Sequence, residues 1–422
     1  MTNRPTRRSV LKSTAAITTA AAFASLGSNF AFAKADDKIR VGLVGCGGRG
    51  TGAAGDCITT NKNVELVAMA DVFKDHIDSS KGQLKEKLGE AFKVTDDMTF
   101  LGFDAYQKVI DSDVDLVILA TPPGFRPQMI EAAANAGKHI FAEKPVATDA
   151  PGVRKVLAAA EELKKKKLGF VCGTQRRHDV GYNETIKRIH DGAIGELVAA
   201  QCYWNQGFLW MHPRKSEWSD MEWQLRNWLY FTWLSGDHIV EQHVHNIDVL
   251  NWCFDAHPVS AYGMGGRQVR TDPAYGHIFD HFAIEYVYPN GARATSMCRQ
   301  IDGTDARVSE RVVGTKGTSD PAGSIQGEKK FRFERPKDAL GPYQQEHKDL
   351  IDSIRAGKPL NEAQRIAETT LTAIMGRMSA YSGKEISWET ALNSHESLFP
   401  GKLEMGPIAT PAVATPGKTQ VT

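Results

Sequence analysis

The feature that most constrains this chain is a glycine loop, Gly45-Cys46-Gly47-Gly48-Arg49-Gly50, set between a short apolar run, Ile39–Val44, and an alanine-containing helical stretch. The pattern G-x-G-x-x-G is weak alone, because a chain with 38 glycines can place one in an ordinary turn. Its context narrows the reading. A strand precedes it, a helix follows, and Asp71 ends the next apolar run, Val64–Ala70, about 20 residues on. In such a unit Gly45 permits the tight turn, Gly47 lets the backbone approach a pyrophosphate, and Gly50 lets the helix pack close. The helix N-terminus then offers amide donors and a positive dipole end to the same anion, so Gly48 and Arg49 belong to the expected cradle. Asp71 is placed to accept hydrogen bonds from the adenosine ribose, and its carboxylate repels a 2′-phosphate. NAD is therefore expected, with NADP disfavoured; the competing reading of Asp71 is a plain strand-end turn residue.

Beyond the loop, short apolar runs alternate with helical stretches. Asp115–Ala120 is stopped by Thr121-Pro122-Pro123, Pro127–Ala136 reads as a helix ended by Gly137, and His139–Ala142 as another strand. This alternation predicts a parallel, doubly wound α/β sheet. After a helix around Pro151–Lys165 the strand patterns lengthen, at Leu197–Trp204, His281–Tyr288 and Arg293–Arg299, with Pro289-Asn290-Gly291 as a hairpin turn. A mostly antiparallel, open sheet in an α+β domain is expected there, closed by helices at Tyr343–Ala356 and Glu362–Tyr381. The chain then divides into a leader at 1–33, a Rossmann domain at 34–158, a second domain at 159–399 and a disordered tail, rich in Pro, Ala, Thr and Gly, at 400–422.

The leader is read from Thr6-Arg7-Arg8-Ser9-Val10-Leu11-Lys12, a twin-arginine pattern, followed by a weakly apolar stretch from Ser13 to Leu26 and by Ala31-Phe32-Ala33. The stretch is too short and polar to span a bilayer. Export through the twin-arginine translocase, removal of the leader and a periplasmic mature protein free of the membrane are the expectations. Six scattered cysteines form no CxxC pair, and buried free thiols are expected. With a net charge of +1 there is no basic footprint for nucleic acid.

Three further segments carry a family resemblance: Leu119-Ala120-Thr121-Pro122-Pro123, Ala136-Gly137-Lys138-His139-Ile140 and Glu143-Lys144-Pro145. In this order, and with the stretch Ala373–Tyr381, the chain resembles the Gfo/Idh/MocA oxidoreductases from roughly Lys38 to Ser394. The resemblance implies hydride transfer between a sugar or polyol secondary alcohol and a nicotinamide cofactor, and a homo-oligomer built through the C-terminal sheet. It adds Thr121, Pro122, Glu143 and Lys144 to the cofactor cradle, and makes Lys144 the active-site lysine. Pro145 matches a proline often preceded by a cis bond, and Arg177 a basic substrate contact. The family's D-x-x-x-H pair appears here as Glu241 and His245, followed by Asp248.

The same stretch can be read from periodicity. At about 100° per residue on one helix, His238, Glu241, His245 and Asp248 share a narrow arc opposite Ile239, Val240, Val244, Ile247 and Leu250. His243 falls among the apolar residues and reads as a core histidine. His238, Glu241 and His245 also have spacing that could hold zinc, but no further ligand cluster accompanies them, so no metal is expected. Arg126 is left between contacting cofactor and packing.

His245 is the candidate base, because an imidazole of ordinary pKa about 6.5 suits proton transfer near neutrality. Lys144 is expected to hold the reacting oxygen. Glu241 is expected to orient one of the two and favour its protonated form. The segment from Phe208 to Leu234 holds five tryptophans. Trp228, with Arg177 and Asp248, is a candidate substrate contact, and a core or subunit interface is an equal reading of the segment. An exported enzyme is expected to retain its cofactor. Two further functions stay open: a glycoside hydrolase that oxidises its sugar transiently, and a sugar-binding protein that kept the fold.

Overall fold

The computed structural model describes residues 37–421, so the expected leader at 1–33 lies outside the described residues. The glycine loop sits where the sequence places it. Six strands, β1 (Ile39–Val44), β2 (Val64–Asp71), β3 (Thr99–Leu101), β4 (Leu116–Leu119), β5 (His139–Ala142) and β6 (Phe170–Cys172), form one parallel sheet. Their order is β3-β2-β1-β4-β5-β6. β1 and β4 are apolar almost without interruption because helices cover both faces of the sheet. The order reverses between β1 and β4, and a doubly wound sheet opens its ligand crevice at that point, beyond the carboxyl ends of the strands.

The expected boundary at residue 158 falls inside the helix Ala150–Lys166, and β6 beyond it still pairs with β5. The parallel half therefore continues to Cys172. It also takes back a remote helix. Leu350, Ile351 and Ile354 of Pro342–Arg355 pack in the same apolar cluster as Leu43, Ala53 and Leu66.

The second sheet has nine strands: β7 (Leu197–Gln206), β8 (Ser260–Gly266), β9 (His281–Val287), β10 (Arg293–Gln300), β11 (Arg307–Gly314), β12 (Gly317–Asp320), β13 (Ser324–Gly327), β14 (Phe331–Arg332) and β15 (Ile386–Ser387). Only β7 and β10 run parallel; the other neighbours are antiparallel, and Gly291 turns the expected β9–β10 hairpin. Burial alternates along β9 and β10, the period of a sheet with one face packed and one in water.

The packed face lies against the helix Ala363–Ser382, whose residues from Thr369 to Ser382 are all buried. Close approach is possible because Gly376 has no side chain; a Cβ there would sit 2.3 Å from the Tyr286 hydroxyl. Arg377, buried on the same helix, donates to the carbonyl oxygens of Thr148 at 2.8 Å and Gly236 at 3.1 Å, tying the two halves together.

Residues 400–421, expected as a disordered tail, contain no helix or strand but follow a packed path. Met221 N donates to Gly406 O at 3.0 Å, Gly417 N donates to Ser382 O at 2.8 Å, and Val421 is buried. Leu403 and Ile408 rest on the core. The small and proline residues that suggest disorder also suit an extended chain lying against a surface. Among the described residues all six cysteines are free and buried, as expected, and no helix is long and apolar enough to cross a membrane.

Candidate active site

The glycine loop lines a cavity of about 790 Å³ at the reversal between β1 and β4. Gly45 has φ +95°, a region that favours glycine, and a Cβ on it would strike the backbone of Ala120 and Thr121. A Cβ on Gly50 would come within 1.9 Å of Gly45 O, so only glycine lets the helix Gly48–Thr60 start this close to β1. Gly47 and Gly48, by contrast, face open space. No side chain caps the helix, leaving its first amides directed to an outside acceptor. The cradle thus fits a pyrophosphate on this chain's own geometry.

Asp71 ends β2 at the cavity wall. Its carboxylate accepts from Cys46 N at 2.7 Å and Phe73 N at 2.9 Å, so it braces the glycine loop as well as facing the cavity. It also lies 3.5 Å from His76 Nδ1 and raises that imidazole's pKa, chiefly through their hydrogen bond. Asp71 is thus both a brace of the loop at the strand end and a carboxylate in the cavity wall.

Thr121 and Pro122 form another part of the wall. Arg49 donates from Nε to Glu143 Oε1 at 2.5 Å and from Nη2 to Glu346 Oε1 at 3.0 Å, while its guanidinium lies 4.8 Å from the Tyr343 ring centroid. Burial, reinforced by Glu143, holds the Glu346 carboxyl well above its usual range. One guanidinium thus faces two buried carboxyls, and burial together with the neighbouring Glu143 charge raises the Glu346 pKa. Glu143 is therefore anchored to the glycine loop, with Lys144 next in the chain.

The Lys144–Pro145 peptide is cis, matching the resemblance. Lys144 Nζ donates to Glu241 O at 2.7 Å and to Glu241 Oε1 at 3.0 Å. An ammonium has three protons, so one remains for a substrate oxygen. Arg126 packs behind this element, with Nη1 donating to Pro145 O at 2.6 Å and its pKa lowered by burial to about 10. Its role is to brace the Lys144 segment.

His245 is buried and stacked on Trp204, with ring centroids 5.7 Å apart and planes 24° apart. Burial, then the nearby Lys144 and Arg176 charges, push its pKa well below 6.5. The ring is thus kept neutral, so of the two partners expected for Glu241 it is Lys144, not His245, that it holds in the charged form. Glu241 Oε2 and His245 Nδ1 are buried with no hydrogen-bond partner among the described residues.

The single-arc reading of residues 238–248 needs correction. The helix breaks after His238–Glu241 and restarts as Val244–Phe254. Glu241 faces Lys144, whose charge is felt at His245. His238 turns to Asp237, with Nδ1 3.0 Å from Oδ1, and packs edge-on to Phe282. Asp248 is buried and bound by Arg177 at 2.8 and 3.1 Å, Arg365 at 2.9 Å and Thr369 at 3.0 Å. Arg177 and Asp248, expected as substrate contacts, neutralise each other in this network, and Arg177 also covers the Trp252 ring. His243 is a core histidine as expected, 2.8 Å from Ser296 Oγ.

The residue beside His245 that sequence reasoning missed is Arg176. Its guanidinium lies 5.6 Å from the Trp204 ring centroid and pairs with buried Glu310, which Asn246 and Tyr182 also hold. The only sequence signal was the doublet Arg176-Arg177. The tryptophan segment divides: Trp233 and Trp223 pack internally, whereas Trp210, Trp218 and Trp228 line the cavity opposite the glycine loop. Trp228, expected as a substrate contact, is thus on the wall of the cavity that the glycine loop lines.

Gly47→Ala and Gly50→Ala separate cradle from packing. Gly47→Ala is expected to keep the wild-type melting temperature yet weaken NAD binding in titration calorimetry by at least about tenfold. Gly50→Ala is expected to destabilise the fold itself by about 1–3 kcal/mol in denaturant unfolding. A Gly47→Ala protein that binds NAD as tightly as wild type contradicts the cradle.

Comparisons with known proteins agree with this geometry. Residues 39–169 match the family described as "Oxidoreductase family, NAD-binding Rossmann fold", and residues 182–320 match the "GFO/IDH/MocA C-terminal domain". The chain is 27% identical over 255 residues to inositol 2-dehydrogenase 3 of Saccharopolyspora erythraea, covering 60% of this chain and 64% of that protein. It is 26% identical over 290 residues to scyllo-inositol 2-dehydrogenase (NAD(+)) of Bacillus subtilis, covering 67% of this chain and 73% of that one. The first alignment thus spans a little less than two thirds of its relative. The structure of scyllo-inositol dehydrogenase from Lactobacillus casei with bound NAD(H) and scyllo-inositol superposes with a TM-score of 0.63 at 20% identity. That superposition covers 83% of this chain and 99% of the other, a likeness of fold. With both halves matched in order, the chain belongs to the Gfo/Idh/MocA oxidoreductase family.

Proposed function

We propose that this protein oxidises a secondary alcohol of a polyol or sugar, using NAD held at the glycine loop. The observation that carries the proposal is the pairing of Lys144 with Glu241 beside a neutral, buried His245, joined to the cradle through Arg49 and Glu143. Gly45, Gly47, Gly50, Asp71, Thr121 and Pro122 would hold the cofactor, which supplies the hydride acceptor when bound. The carboxylate of Asp71 in the cavity wall supports NAD over NADP.

The chain's own residues do the rest. Lys144 directs its third proton to the alcohol oxygen and stabilises negative charge as it develops there. His245 takes the hydroxyl proton on a ring nitrogen, its plane held by Trp204. Glu241 fixes the Lys144 ammonium from two oxygens, so the donor needs no reorganisation when charge appears. Inositols are the first substrates to test, because the named relatives are inositol dehydrogenases.

Two parts of the proposal concern setting. Arg7-Arg8 and Ala31-Phe32-Ala33 support export by the twin-arginine route to the periplasm, and a tightly held NAD that cycles in place follows from scarce free dinucleotide there. The open face of the second sheet supports a homo-oligomer: Tyr262, Met264 and Met297 are exposed on it. Such apolar groups on an open sheet suit burial against a second copy.

Three measurements test these readings. Lys144→Met is expected to fold and bind NAD but to reduce NADH formation from free polyols by at least about a thousandfold; retained turnover sinks the assignment, and cleavage of aryl glycosides by the wild type, with release of the phenol and no net NADH, would point to the hydrolase instead. For His245 the neutral form is the active base, so kcat/KM for oxidation falls as pH drops through its pKa. Because that pKa is depressed, the acid limb should lie below pH 6.5, and Arg176→Gln, which removes a neighbouring positive charge, should move it upward. A limb centred above neutrality contradicts the role. Light scattering should give a multiple of the chain mass, reduced toward one copy by Met264→Arg with Met297→Arg; a monomeric wild type refutes the sheet interface.

A further inference from the structure

The cavity above the glycine loop has a second wall that comes from the other half of the molecule. Residues 210–228 cross over from the end of β7 and place Trp210, Lys215, Trp218, Arg226 and Trp228 opposite Gly47, Asp71 and Phe73. Fully buried polar side chains fix the wall. Asn227 accepts from His212 N at 2.8 Å and donates to His212 O at 3.0 Å, and the Tyr230 hydroxyl donates to Trp210 O at 2.8 Å. Behind it, Met221 N bonds to Gly406 O, so the C-terminal segment buttresses the same wall.

Arg226 joins this wall to the Rossmann half at the cavity rim. Arg226 donates from Nη1 to Asp75 Oδ2 at 2.9 Å and from Nη2 to Asp75 Oδ1 at 3.1 Å, a two-point fork on the helix that follows Asp71. Its guanidinium also lies 4.0 Å from the Phe73 ring centroid and 5.1 Å from that of Trp218, and Glu222 holds its Nε. Lys215 sits 5.2 Å from the centroid of the Trp218 ring, and no carboxylate pairs with it among the described residues. The wall therefore offers aromatic faces and an unneutralised cation, the chemistry that suits a base ring and an anionic phosphate.

We propose that residues 210–228 form a clasp over the dinucleotide, latched by Arg226 and Asp75, and that opening this latch governs how fast the dinucleotide leaves. The inference rests on the NAD site proposed above. The glycine loop binds the pyrophosphate from one side; the clasp covers the ligand from the other, so release requires the Arg226–Asp75 fork to part.

The test is the rate at which bound NADH leaves the whole protein, read as loss of energy transfer from tryptophan to NADH after a chase with excess NAD. Asp75→Ala removes one half of the latch and is expected to speed release by about tenfold or more, the effect of losing a charge-assisted hydrogen bond. Lys215→Gln removes the wall's unpaired cation and should also speed release. Both side chains reach solvent, so the fold does not depend on them. Release within about twofold of wild type in both variants overturns the clasp. A wild-type protein that binds no NAD at all overturns the cofactor site instead, and the two failures are distinguishable in the first titration.

Discussion

An ammonium buried where two halves of a chain meet must find its counter-charge across the seam, and Lys144 does so. It belongs to the Rossmann half, and both oxygens that receive it belong to Glu241 of the other half. Removing a charge from water costs several kcal/mol unless a partner and hydrogen bonds offset it. Any displacement of one half against the other would therefore strand Lys144. The same logic recurs along the seam. Arg377 reaches the carbonyls of Thr148 and Gly236, Arg49 reaches Glu346 on the returning helix, and Arg226 reaches Asp75. Apolar packing of the helix Ala363–Ser382 brings the halves together without specifying an angle, and these directed contacts restrict how they dock.

This division explains what could be read before the fold was known. Strands covered on both faces announce themselves by continuous apolar runs, so β1, β2, β4 and β5 and the crevice at Gly45 follow from local pattern. The Glu143-Lys144-Pro145 element and the pair Glu241 and His245 were also visible, because their spacing matches a known arrangement. The partners of those residues were not. Arg49 and Glu346 are remote in sequence, and so are Asp248 and Arg365; no periodicity links them.

The error at residues 238–248 has a specific cause. A 3.6-residue period does not carry across Gln242 and His243, where the chain leaves the helical path. Once the helix is interrupted, residues on one projected arc no longer share a face. Asp237 marks the start of that irregularity, with φ +73° in a region that non-glycine residues rarely adopt. Its carboxylate receives His238 N at 2.6 Å, Phe279 N at 2.9 Å and the Tyr381 hydroxyl at 2.5 Å, and these bonds hold the turn that carries Glu241. Sequence composition shows the aspartate but not the three donors that make the conformation tenable.

The electrostatics of the site follow from the same seam. Lys144 and Arg176 both bear on His245, and the carboxylates that might offset them are already engaged, Glu241 with Lys144 and Glu310 with Arg176. Burial then acts in the same direction as the residual positive field, and the imidazole stays neutral. A neutral imidazole beside a fixed ammonium is poised to accept a proton while the ammonium receives the developing oxyanion. The two halves must be docked for that combination to exist, since Lys144 comes from one and His245 from the other. The glycine loop can cradle a pyrophosphate by itself, but in the proposed oxidation, removal of a proton from a neighbouring alcohol requires the seam.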